Sequence, residues 1–119
     1  MSTSAVQPYG PYPGRCVRIV DGDTLDIDVD LGFAITLRQR VRLVGSNAPE
    51  ARTAAGKRAT AAAVGMCPPG TPVQLLSYGW DKYGGRCDGV VRLPSGSSLA
   101  DELIRGGYAV VWDGTGVRP

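Results

Sequence analysis

A chain of 119 residues holds one domain with a real hydrophobic core, but not two. A net charge of +2 is too small to mark a nucleic-acid binder on its own, and no apolar run approaches the roughly 20 residues that span a bilayer. The chain has no histidine, which excludes Ser-His-Asp and Cys-His catalysis, His-ligated zinc and every nuclease chemistry with a histidine base or nucleophile.

Residues 1–14, rich in proline, glycine and small polar side chains, read as a disordered leader. They have neither the basic start nor the apolar stretch of a secretory signal, which favours a cytoplasmic location. The odd cysteine count, Cys16, Cys67 and Cys87 without CxxC spacing, points the same way, to buried thiols in a reducing compartment. Residues 15–20 form a first strand, and Asp21-Gly22 is a turn signal. Residues 24–30 alternate strictly, with Leu25, Ile27 and Val29 on one face and Asp26, Asp28 and Asp30 on the other.

The next strand, 35–44, sets Ile35, Leu37, Val41 and Leu43 against Arg38, Arg40 and Arg42. A hairpin around Leu31-Gly32-Phe33 then brings acids opposite arginines, so the carboxylate row reads as a solvated sheet face rather than a metal site. Alternation puts Arg42 in that outer row unless a bulge re-aims it. Alanine-rich residues 51–66 form a helix that stops before Pro68-Pro69. Residues 72–78 and 90–93 are further strands. Ser98 to Asp101 fits a capping box opening a short helix, with Leu99, Leu103 and Ile104 toward the core and Gly106-Gly107 ending it. Residues 108–112 close as a last strand, and 113–119 read as a tail.

Three motifs carry chemistry: DGDT at 21–24, RVRL followed by Asn47, Ala48, Pro49 and Glu50, and DKYGGR at 81–86. They supply oxygen ligands, a base and guanidinium groups at strand ends, the set that a hard cation beside a phosphodiester needs. In this order and spacing they resemble the staphylococcal nuclease (thermonuclease) family over residues 15–112. The resemblance implies an α+β fold, a five-stranded OB-type Greek-key barrel with one helix after strand 3 and a short helix before a closing strand. Where the family adds a C-terminal helix, this chain ends.

The resemblance implies a Ca²⁺-dependent nuclease that cuts DNA and RNA, single strands preferred, to 3′-phosphate products, and a monomer with no membrane partner. Asp23, Asn47 and the Ala48 backbone carbonyl match its metal ligands. Glu50 matches the general base, and Arg42 and Arg86 the arginines that stabilise the transition state. Lys82 and Tyr83 match residues that bind the nucleotide. Each has a plainer reading: Asp23 as a turn aspartate, Glu50 as a helix N-terminal carboxylate, Lys82 and Tyr83 as surface turn.

Two departures stand out. Asn47 replaces a ligand aspartate, so one anionic charge is lost, and Gly84-Gly85 replaces a single glycine before Arg86. A non-catalytic module of the same lineage, binding nucleic acid or protein, is the competing reading.

Overall fold

The structure is a computed structural model that describes residues 8–80 and 85–112. The elements in chain order are β1 (Tyr9–Asp21), β2 (Thr24–Asp30), β3 (Thr36–Leu43), β4 (Ser46–Asn47), α1 (Ala54–Met66), β5 (Pro72–Trp80), β6 (Cys87–Arg92), α2 (Leu99–Arg105) and β7 (Val110–Val111). Five strands close a barrel in the order β1-β2-β3-β6-β5. All neighbours run antiparallel except β3 and β6, which are parallel. This is the expected α+β, OB-type barrel. Among the described residues no helix is long and apolar enough to cross a membrane.

The alternation in β2 decides its orientation. Leu25, Ile27 and Val29 are buried, with Val41, Leu43, Leu75 and Val91 facing them across the barrel core. On the outer face the register sets Asp26 opposite Arg40 and Asp28 opposite Arg38. Both pairs close as ion pairs at 2.8 Å, and Arg18 of β1 reaches Asp26 at 3.1 Å. Asp26 and Asp28 are therefore taken up by arginines, as the alternation implied, while Asp30 faces Thr36 and its Oδ1 accepts from Gly32 N at 2.8 Å.

Three expectations change. The first strand starts at Tyr9, so residues 9–14 of the expected leader are ordered and pair with β5. On the other side Gly14 lets β1 lie close to β2: a Cβ there would stand 2.7 Å from the Asp28 carbonyl oxygen. Ile35 and Leu37, expected in the core, are 53% and 45% exposed. The cause is that β6 pairs with β3 only from Val41 to Leu43, so the first half of β3 extends beyond the closed barrel. Finally, the closing strand is only Val110–Val111, and it pairs with β4 as a separate two-stranded sheet rather than with the barrel.

Helix α1 begins later than the sequence suggested, because Thr53 caps it: its Oγ1 accepts from Gly56 N at 3.0 Å. Its buried face, Gly56, Ala59 and Ala63, is made of small residues. Helix α2 is capped as expected, Ser98 Oγ accepting from Asp101 N at 3.0 Å, with Leu99 and Leu103 buried. All three cysteines are buried thiols.

Candidate functional site at the β2–β3 end of the barrel

The turn between β1 and β2 and the loop after β3 are tied into one unit. Asp21 Oδ1 accepts from Asp23 N at 3.0 Å, forming the turn, and Leu43 N donates to the Asp23 carbonyl oxygen at 2.8 Å. Gly22 lies flush under α1: a Cβ there would meet the Cβ atoms of Ala48 and Ala59 at 2.8 Å. Gly56 is tighter still, since its Cβ would fall 1.8 Å from the Glu50 carbonyl oxygen. Small residues on α1 thus let the helix press on the backbone that carries the candidate site.

Asp23, Arg42 and Asn47 are all buried. Asp23 Oδ1 accepts from Thr24 Oγ1 at 3.2 Å, and its Oδ2 accepts from Ala48 N at 3.3 Å. Arg42 Nη2 stands 3.5 Å from Asp23 Oδ2 and 3.4 Å from Asn47 Oδ1, while Nη1 reaches the Leu43 carbonyl oxygen at 3.5 Å. The Asp23 carboxylate and the Asn47 amide oxygen therefore converge on one guanidinium nitrogen. Burial pushes the Asp21 carboxyl up to about 6, and the neighbouring Asp23 adds to the rise.

No bulge turns Arg42 inward: the β2–β3 ladder is regular from Asp30↔Thr36 to Thr24↔Arg42. Arg42 keeps the outer parity, and the outer face is itself covered at this end. The Trp112 ring lies 5.7 Å from the guanidinium carbon, Trp112 N donates to the Gly45 carbonyl oxygen at 3.1 Å, and β7 pairs with β4. The spacing of the motifs contains no sign of this cover, which comes from residues 110–112.

The remaining candidates are distributed unevenly. Glu50 sits on the rim with its side chain 68% exposed and Oε2 3.0 Å from Arg52 Nε. Arg86 is half-buried and immediately precedes Cys87 and Asp88, which pair with Val41 and Arg42. It thus leads into the strand that runs beside Arg42. At Ala48 it is the N–H that bonds Asp23. Lys82, Tyr83 and Gly84 lie outside the described residues. A cleft of about 900 Å³ lies at the other end of β2 and β3, lined by Arg15, Asp28, Thr36, Gln74 and Arg92 among others, and none of the candidates among the described residues lines it.

Among the described residues no group of three or more His, Cys, Asp and Glu side chains is arranged to hold a metal. The oxygens that are present, from Asp21, Asp23 and Asn47, suit a hard divalent cation in kind. Burial and the neighbouring Asp23 both disfavour the charged form of Asp21, an effect that a divalent cation would offset.

Sequence comparison adds relatives with nuclease names. The chain is similar to an endonuclease. It is 33% identical over 100 residues to the "Uncharacterized endonuclease" of Escherichia coli, and equally to that of Escherichia coli O157:H7. The match covers 84% of this chain and 61% of either relative, so the chain spans about three-fifths of their length. A shorter stretch of 53 residues is 51% identical to "Protein ParB" of Escherichia coli, covering 44% of this chain and 27% of that protein. No protein-family model matches the chain.

Proposed function

We propose that this domain is a nuclease that hydrolyses phosphodiester bonds of DNA and RNA, single strands preferred, leaving 3′-phosphate ends and requiring Ca²⁺. The observation that carries the reading is the buried Arg42 guanidinium held between Asp23 and Asn47, with Glu50 on the loop that follows. Similarity to proteins named endonuclease supports the same class.

Asp23, Asn47 and the Ala48 carbonyl would hold the cation, which supplies positive charge beside the phosphate and orients water. Arg42 on β3 and Arg86, just before the neighbouring β6, donate to the non-bridging phosphate oxygens and tighten as charge accumulates in the five-coordinate transition state. Glu50 accepts a proton from the attacking water. Its exposure leaves it open to solvent, and leaving Arg52 costs little because an exposed ion pair is worth at most about 1 kcal/mol. The 5′ oxygen departs and takes a proton from solvent. The indole beside Arg42 and the loop packed under α1 limit how far the guanidinium reorganises during the step.

The deciding experiment is cleavage of heat-denatured DNA under titrated CaCl₂, beside an EDTA control and the Glu50→Gln variant. Cutting that needs Ca²⁺ and disappears in Glu50→Gln supports the nuclease. A folded protein that binds DNA in a salt-dependent way but does not cut at tens of millimolar Ca²⁺ is a binding module instead.

A further inference from the structure

We propose that Trp112 is a positioning residue for Arg42, and that the β4–β7 sheet is a strap closing the candidate site. The inference deepens the nuclease reading and rests on it for its kinetic arm. Arg42 is 5% exposed although it lies on the outward parity of β3, so something other than the barrel buries it. Trp112 supplies cover: its indole stands 5.7 Å from the guanidinium carbon, within the range at which a cation is attracted to an aromatic face.

The same three residues also hold the loop. Ser46 pairs with Val111, Asn47 with Val110, and Trp112 N donates to the Gly45 carbonyl oxygen at 3.1 Å. One short strand therefore registers the Asn47 side of the site through its backbone, and the residue that follows it reaches the Arg42 side through its indole. Val110 and Val111 are themselves exposed, so burial of their own side chains is not what this strand contributes.

Arg42 needs such support. Its polar contacts with Leu43 O, Asn47 Oδ1 and Asp23 Oδ2 span 3.4 to 3.5 Å, at the long end of hydrogen-bond range. Long contacts from one side leave the guanidinium plane free to tilt, and a flat aromatic surface removes that freedom. A misplacement of about 1 Å at a group that binds the transition state is costly in rate, far more than in substrate binding.

The test compares Trp112→Phe and Trp112→Leu with wild type. Two readouts are taken: kcat and KM on single-stranded DNA, and the Arg42 side-chain N–H resonances by NMR with thermal midpoints recorded alongside. An aromatic ring shifts the Arg42 signals by its ring current, and leucine fills space without a π face. The expected result is that Trp112→Leu lowers kcat about tenfold with KM within about threefold, and moves the Arg42 resonances. Trp112→Phe retains most of both.

Unmoved Arg42 resonances in Trp112→Leu overturn the clamp whatever happens to activity. Equal kcat losses in the leucine and phenylalanine variants, tracking their thermal midpoints, overturn it as well. Failure of the wild type to cut DNA overturns the proposed activity alone, because the resonance arm still decides whether the indole holds Arg42.

Discussion

Arg42 Nη2 meets Asn47 Oδ1 at 3.4 Å, and the same nitrogen stands 3.5 Å from Asp23 Oδ2. An asparagine here accepts from the arginine without adding a further carboxylate beside the buried Asp23 and the half-buried Asp21. The arrangement lowers carboxylate repulsion, and on the proposed reading it would lower affinity for a divalent cation as well.

Asn47→Asp should therefore tighten Ca²⁺ by about tenfold or more. Calorimetric titration measures this directly. Ca²⁺ should also raise the thermal midpoint more in the variant than in wild type, because tighter binding to the native state stabilises it by mass action. An unchanged titration shows that position 47 does not touch the cation.

Glu50→Gln should lower turnover by several orders of magnitude and leave the fold unchanged. What Glu50 gives to structure is its backbone carbonyl, which accepts from Thr53 N at 3.0 Å and Thr53 Oγ1 at 2.7 Å. The exposed carboxylate contributes only the pair with Arg52. Single-turnover cleavage and a melting curve on the same sample separate the two effects. A matching drop in thermal midpoint would show the loss to be structural.

Gly56→Ala should destabilise the protein by about 2–3 kcal/mol, although alanine is the better helix former by about 1 kcal/mol. The sign is decided by the clash: the new methyl would sit 1.8 Å from the Glu50 carbonyl oxygen, and backbone on both sides must move. Urea unfolding reads the stability, and cleavage should fall with it because the displaced loop carries Glu50. Gly65→Ala is the control, since nothing lies within 4 Å of its Cβ position, and it should be neutral or stabilising.

Asp26 sets a pH dependence. Hydrogen bonds from Arg40 and then Arg18 hold its carboxyl below the ordinary carboxylate range. A folded-state value below the unfolded one means that the stabilisation is fully present above the unfolded pKa of about 4 and is lost as pH falls through the folded value. Asp26→Asn should thus cost about 1 kcal/mol at pH 7 and little near pH 2. Urea midpoints at the two pH values give the comparison, and a difference independent of pH means that packing, not charge, is lost.

Much of the fold and part of the site were legible in the sequence, because they depend on neighbours close along the chain. Strict alternation in residues 24–30 sorts Leu25, Ile27 and Val29 onto one apolar face, and a hairpin a few residues long sets Asp26 and Asp28 against Arg40 and Arg38. The Ser98 cap is equally local. The turn at Asp21 to Thr24 and the loop after β3 likewise read as one loop cluster, and Asp23 and Asn47 do meet at Arg42.

Only the tertiary structure decided which faces are solvent. Parity assigned Ile35 and Leu37 to the core and Arg42 to the outside, and burial reversed all three. The reason is non-local: β6 reaches only the last part of β3, leaving the first part uncovered, while residues 110–112 return to cover Arg42. Periodicity reports which side chains share a face. Which face is buried depends on what packs against it, and here the covering residues lie about seventy positions further along the chain.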